Sequence, residues 1–414
     1  MRIENVLILG VGTARDIVIE GDEIVDLPPT AQTARPPRVA LPGLVDLHSH
    51  LREPGGEGSE TIASGTAAAA AGGFTDVFAM ANTDPVTDTV ARVLDVRRRA
   101  EGRAAAVHVV AAATVGLGGR QIVEVERLTA AGVTMFSDDG KCVADDDVML
   151  DLLTRIARTD AVFAQHAQHP GIVGAGVINE RVAQAAGAVG WPNRGEAEIV
   201  ARDIAIVRAT GARLHICHIS TRETVELLAQ AKLEGLPVTG EVTPHHLHLT
   251  DDDALGSGAR LKVNPPLRSS DDVAALRKGL RSGVIDAVGT DHAPHPVATK
   301  ALPWPDAAFG LTGLETAAAA VIAALSDDSG VTDWNRVVDA LVRQPIRIGG
   351  LTGRLPADLA PGAPATLTVL SHRPAERVDT AKHLSHSQNA AFAGLELSWR
   401  VELTLREGRP TYRR

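Results

Sequence analysis

Eight apolar, β-branched runs recur along the chain, and no other feature narrows the possible folds as far. They are Leu44–His50, Phe74–Asn82, Ala106–Val115, Val133–Asp139, Ala161–His166, Arg213–Ser220, Pro237–His245 and Ile285–Asp291. Alanine-rich helical patterns lie between most of them, such as Thr61–Ala71, Thr87–Glu101, Gln121–Ala131, Asp147–Arg158, Glu196–Ala209, Arg222–Leu233 and Asp271–Ser282. Strands that read as buried on both faces, separated by helices, predict an α/β fold built as a (β/α)8 TIM-type barrel. A doubly wound open sheet is the competing topology. The flanks read differently. Residues 1–42 and 346–414 hold short alternating pieces such as "DIVIEGDEIVDL" and "AGLELSWRVELTLREGRPTY". They predict one small composite β domain beside a barrel spanning 43–345, a division that 414 residues also favour. Gly10-Val11-Gly12 lacks the third glycine and the helix of a dinucleotide site and is not read as one.

The polar exceptions fall at the C-terminal ends of these runs, which in a barrel form the catalytic mouth. The first run ends in His48 and His50, with Arg52 two residues on. On an extended strand those three side chains would share a face. The fourth run ends in Asp138 and Asp139, and the fifth in His166. The sixth carries His215 and His218, and the eighth ends in "TDHAPH" with Asp291, His292 and His295. Burying so many titratable groups without a partner is costly, and a divalent metal cluster supplies one. Imidazoles with two carboxylates suit zinc, and a bridging carboxylate between two ions leaves room for a shared water or hydroxide.

The motifs "DLHSHLREPG", "AMANTDPVTD", "FSDDGKCVAD", "HICHIST", "EVTPHHL", "KVNPPLR" and "GTDHAPH" follow one another between about Pro42 and Leu351. In them the chain resembles the amidohydrolase superfamily and, within it, the bacterial class I dihydroorotases. The resemblance implies a zinc-dependent cyclic amide hydrolase. Its reaction is the reversible cyclisation of N-carbamoyl-L-aspartate to L-dihydroorotate with release of water, the third step of pyrimidine synthesis. It also implies two zinc ions bridged by Asp139 and a hydroxide, with His48 and His50 on one ion and His166 and His218 on the other. Asp291 corresponds to the metal-binding catalytic acid/base. His50, Arg52, Asn82, Asn264 and His295, with the backbone of Phe309 and Gly310, correspond to the substrate contacts. Arg52 would hold the substrate carboxylate in a bidentate fork.

Strand alternation alone leaves Asp138 as a rival to Asp139. Other superfamily members carry a carboxylated lysine at the bridge. The nearest lysine here, Lys141, lies beyond Gly140 and reads as a solvated loop residue. Gln168 stands where the family frequently has an acidic side chain, which leaves the tuning of His166 open. The segment from Pro296 to Ala308 reads as a flexible lid. His245, His246, His248 and His292 read as structural or supporting, and His215 as lying behind the ligands. Cys217 reads as a small core residue, with thiolate ligation the alternative. Asp145–Asp147 and Asp251–Asp253 read as helix starts.

A net charge of −10 with no Lys/Arg run argues against a nucleic-acid surface, and no apolar run reads as a membrane span. "MRIENVLILGVG" does not read as a signal peptide, and two cysteines make no disulfide framework, so a cytoplasmic setting is expected. Two other functions stay open. One is a hydantoinase- or allantoinase-like cyclic amidase; the other is a non-catalytic dihydroorotase-like scaffold for an aspartate transcarbamoylase. A homodimer, and dependence of an active chain on that transcarbamoylase as partner, also stay open.

Overall fold

The eight runs all form strands, each shorter than its sequence pattern. The strands are Leu44–Ser49, Phe74–Ala79, Ala106–Val109, Met135–Phe136, Val162–Gln165, Leu214–Ile216, Val238–Val242 and Ala287–Val288. The computed structural model describes residues 1–9, 13–31 and 38–414, and the Gly10-Val11-Gly12 motif lies outside the described residues. The first three strands pair in parallel, and so do the last five. Two parallel bridges, Ala111 with Phe136 and Ser49 with His292, join the arcs into a closed barrel. Ser137 N–H donates to the Ala111 carbonyl at 2.9 Å and His50 N–H to the His292 carbonyl at 2.8 Å. Closure removes the open-sheet alternative.

The helices start where the sequence offers a side-chain cap. Thr61 caps Ile62–Ala71, Asp145 caps Asp146–Ile156 and Ser269 caps Ser270–Ser282, each accepting from a backbone N–H one turn in. The acidic run 145–147 is therefore a helix start, with Asp146 and Asp147 in the first turn, where the helix dipole favours them. Helix Asp146–Ile156 turns Met149, Leu152, Leu153 and Ile156 inward. They join the core that Phe78, Phe136 and Phe163 anchor from the strands. Burying each such side chain contributes roughly 1.5–3 kcal/mol. The same core continues through Ile346, Ile348 and Leu351.

The two flanks meet in one seven-stranded sheet. Strand Leu367–Arg377 pairs antiparallel with Arg38–Pro42 on one side and with Glu396–Arg406 on the other. Arg409–Arg413 lies on the outer edge of Glu396–Arg406. On the other side, Arg2–Ile8, Ala14–Glu20 and Glu23–Asp26 continue the sheet. It has its own apolar core, with Ile17, Ile19, Leu367 and Leu405 among its members. No helix among the described residues is long and apolar enough to cross a membrane.

Candidate metal centre

Where the barrel strands end, six side chains converge. His48 is still within the first strand and His50 just past it. His166 follows the fifth strand directly, while Asp139, His218 and Asp291 lie a little beyond the fourth, sixth and eighth. His218 (φ 33°) and Asp291 (φ 44°) have left-handed backbone, which few non-glycine residues adopt. Such strain is tolerated where surrounding structure holds it and is common at functional sites. Arg52 lies just beyond the end of the strand, which stops at Ser49; its backbone is left-handed (φ 63°), and it lines the cavity at the mouth.

One carboxylate lies among all four histidines. Asp139 Oδ1 is 3.3 Å from His48 Nε2, 3.2 Å from His166 Nδ1 and 3.5 Å from His218 Nε2. Its Oδ2 is 3.3 Å from His50 Nε2. Asp291 Oδ1 is 3.0 Å from His50 Nε2 and 3.5 Å from His48 Nε2. All six residues are buried. Asp138 turns elsewhere: its carboxylate accepts from Ala113 N–H, Thr114 N–H and the Thr114 hydroxyl. Lys141 is exposed.

The arrangement fits a metal. His48 Nε2 is buried without a hydrogen-bond partner while pointing between two carboxylates. Ligand atoms of His48, His50 and Asp291 lie within 4.8 Å of one another, and so do those of His48, Asp139 and His218. Electrostatics agree. Burial opposes a charge on His48 and His166, yet Asp139 holds both pKa values above the ordinary histidine value. Burial and then neighbouring imidazolium charge push His218 down. The carboxylates thus draw positive charge into the cluster, the role a divalent cation fills.

Each ring is aimed by a second partner. His48 Nδ1 lies 2.8 Å from Glu241 Oε1, and His50 Nδ1 2.9 Å from Asn82 Oδ1. His166 Nε2 is 2.9 Å from Gln168 Oε1, which also accepts from Asn264 Nδ2 at 3.2 Å. The amide at 168 therefore keeps the contact an acid would make, without its charge. Glu241 is the residue that sequence reading missed. It sits in a strand of small and apolar neighbours, and a lone carboxylate in a buried strand was the one signal available. Gly289 makes room for it, since a Cβ there would collide with the Glu241 carboxylate. His215 Nε2 stands 3.3 Å from the other Glu241 oxygen, behind the cluster. Burial pushes the Cys217 thiol up to about 12, away from the thiolate form, although its sulfur lies within 4.8 Å of ligand atoms of His48 and Glu241.

Above the cluster opens a cavity of about 210 Å³ that takes in Arg52, Asn82, Asn264, His295, Phe309 and Gly310. Arg52 donates from Nε to the Pro294 carbonyl at 3.3 Å, and its Nη2 is 3.2 Å from His295 Nε2. Burial and then the guanidinium push the His295 pKa down to about 3, so its ring is neutral. Asn264 Oδ1 is buried without a partner. The segment 296–308 is pinned by two lysines. Lys300 Nζ donates to the Lys262 and Ala308 carbonyls, and Lys262 Nζ to those of Trp304 and Pro305. His246 and His248 bond to backbone carbonyls of Pro265 and Ala320, and His292 to Glu60.

The family described as dihydro-orotase-like matches residues 37–224. A dihydroorotase of Leifsonia xyli subsp. xyli is 46% identical over 377 residues, covering 90% of this chain and 86% of the relative. A dihydroorotase of Streptomyces coelicolor is 44% identical over 99% of this chain and 94% of its own. Among solved structures, the L-hydantoinase (dihydropyrimidinase) of Arthrobacter aurescens superposes with a TM-score of 0.86 at 25% identity, covering 100% of this chain and 96% of its own.

Proposed function

Because the chain belongs to the dihydroorotase family, we propose that it is a zinc-dependent dihydroorotase of the bacterial class I type. Its substrates are N-carbamoyl-L-aspartate and L-dihydroorotate. The observation that carries this reading is a carboxylate surrounded by four histidines, with a guanidinium lining the same small cavity. His48, His50 and Asp291 would hold one ion and His166 and His218 a second, with Asp139 placed to serve both. Zinc held there would supply Lewis-acid polarisation of the ring carbonyl and a water activated near neutral pH.

The chain's own groups do the rest. Arg52 has no carboxylate partner among the described residues, its bonds going to a carbonyl and a neutral imidazole. It receives the substrate carboxylate. Asn264 accepts a ring N–H through its unpartnered Oδ1. The Phe309–Gly310 backbone closes the same wall. Asn82 orients His50 through its Oδ1 and donates from Nδ2 to the Asp139 carbonyl at 3.4 Å, at the edge of the cavity. Asp291 takes the proton of the attacking water and returns it to the leaving ring nitrogen.

Likeness to a hydantoinase keeps one rival in view, and the carboxylate separates the two. A charge-assisted bond of this kind is worth roughly 1.5–3 kcal/mol, or about 10- to 150-fold in kcat/KM. L-dihydroorotate is therefore expected to be hydrolysed well and dihydrouracil, the same ring without the carboxylate, poorly. Arg52→Met should shrink that preference by impairing dihydroorotate while zinc content holds. Equal use of both rings by the unaltered protein would point to the hydantoinase activity instead. Metal-loaded protein that turns over only when an aspartate transcarbamoylase is added would show dependence on that partner.

A further inference from the structure

Between the sheet strands Leu367–Arg377 and Glu396–Arg406 the chain leaves the composite sheet and runs along the loops of the barrel mouth. Leu384 N–H and Ser385 N–H donate to Glu315 Oε1, at 2.8 and 3.1 Å. Ser385 Oγ and His386 N–H donate to Glu60, and Ser387 Oγ to the Ser59 carbonyl. This strap leads to Asn389, which is buried and whose carbonyl accepts from Thr312 N–H at 3.1 Å.

The side-chain amide of Asn389 lies between the two loops that line the cavity. Its Oδ1 accepts from His295 N–H at 3.2 Å. Its Nδ2 donates to the Ala293 carbonyl at 3.2 Å and the Gly310 carbonyl at 3.1 Å. One acceptor and two donors are thus matched to one N–H and two carbonyls, a set that among side chains of this size asparagine alone supplies. Its partners include the backbone of His295 and Gly310, both cavity-lining residues. The loops have little slack. Gly310 has φ 134°, and a Cβ there would sit 2.7 Å from the Ala293 Cβ and 2.9 Å from its carbonyl oxygen.

We propose that Asn389 is a positioning residue for substrate recognition. It sets the spacing of His295 and Gly310 opposite Arg52, so that the C-terminal strap completes the wall that receives the substrate carboxylate. The inference rests on the dihydroorotase reading. Removal of the amide takes its three bonds from both loops at once and leaves them joined only through backbone, chiefly Ala293 N–H to the Leu311 carbonyl at 2.8 Å, while the strap stays tied through Ser385 and Ser387.

The test uses the metal-loaded full chain with L-dihydroorotate and dihydrouracil as paired substrates. Asn389→Ala is expected to raise KM for dihydroorotate about tenfold with a smaller change in kcat. The preference for dihydroorotate over dihydrouracil should fall with it, and zinc content should stay. Asn389→Asp keeps size and acceptor but turns an oxygen toward two carbonyls; it should do the same, and it decides the matter if the alanine variant does not fold. Ser387→Ala, which loosens the strap without touching either loop, should lower thermal stability and leave the preference intact. An unchanged KM and preference in the Asn389 variants, or an equal loss on both rings, overturns the proposal. An unaltered protein that shows no preference for dihydroorotate overturns the parent reading, and this one with it.

Discussion

Glu241 converts a buried imidazole into a directed ligand. Burial would raise its carboxyl, but the His215 ring 3.3 Å away and the hydrogen bond from His48 hold the pKa at about 2, so it stays ionised. With His48 Nδ1–H donating to that carboxylate, Nε2 is left as the lone-pair nitrogen facing Asp139 and Asp291. Glu241→Gln should weaken zinc binding about 10- to 100-fold, the usual scale for such an outer partner. Competition with a chromophoric chelator measures it, and unchanged affinity would show that His48 is aimed by packing alone. The same titration separates the two adjacent aspartates: Asp139→Ala should lose bound metal, whereas Asp138→Ala should lower stability and keep it. Sequence alternation could not choose between them, because both lie beyond the strand. Geometry distinguishes them through the bonds that Asp138 makes to Ala113 and Thr114. His48, His50, His166, His218 and Asp291 were legible because histidine and aspartate stand out at the ends of apolar runs. Glu241 and Asn389 were not, since their partners are distant in sequence and no local pattern marks either.

At the scale of elements, periodicity located every barrel strand and overran most of their ends. The reason is local backbone. Left-handed residues at His218 and Asp291 lie just past their ladders, and hydropathy carries no trace of such a turn. Helix starts were easier, because Thr61, Asp145 and Ser269 announce them chemically. The strap 384–389 was invisible as an element, being held by two acids distant in sequence, the buried Glu60 and the largely buried Glu315, and not by any repeat. One of those acids gives it a pH signature. Burial raises the Glu315 carboxyl from its ordinary 4.5 to about 7, against the pull of Ser385 N–H and Leu384 N–H. The folded chain therefore binds this proton more tightly than the unfolded chain does. Its contribution to stability falls as pH rises from about 4.5 to about 7 and is flat beyond. Glu315→Gln mimics the protonated form at every pH. Relative to that variant, the unaltered protein should lose on the order of 1–3 kcal/mol between pH 4.5 and 8. Paired denaturant titrations at several pH values give the difference, and a pH-independent difference would remove Glu315 from this role.

Across the whole molecule, the division into a barrel and a composite sheet is a division of cores more than of independent parts. Both flanks are needed for one sheet, with Leu367–Arg377 and Arg38–Pro42 paired near its middle. That sheet also reaches into the barrel. Thr368 Oγ1 donates to the Gly73 carbonyl at 2.5 Å and Thr404 Oγ1 to the Ala70 carbonyl at 2.7 Å, both at the end of the first barrel helix. The barrel core in turn runs on through Ile346, Ile348 and Leu351. A fragment of residues 43–345 would lose those apolar side chains, expose the carbonyls of Ala70 and Gly73, and give up Asn389 between the two cavity loops. Its closed hydrogen-bonded barrel would persist only on paper, since stability is a small difference between large terms and several kcal/mol are removed together. The fragment is expected to show no cooperative thermal transition and to be cut readily by protease, with or without zinc. Adding residues 346–366 should recover part of the barrel core without restoring the transition, because the sheet strands and the strap are still missing. A soluble 43–345 fragment that melts sharply and binds zinc like the full chain would show instead that the barrel is autonomous and the composite sheet an appendage.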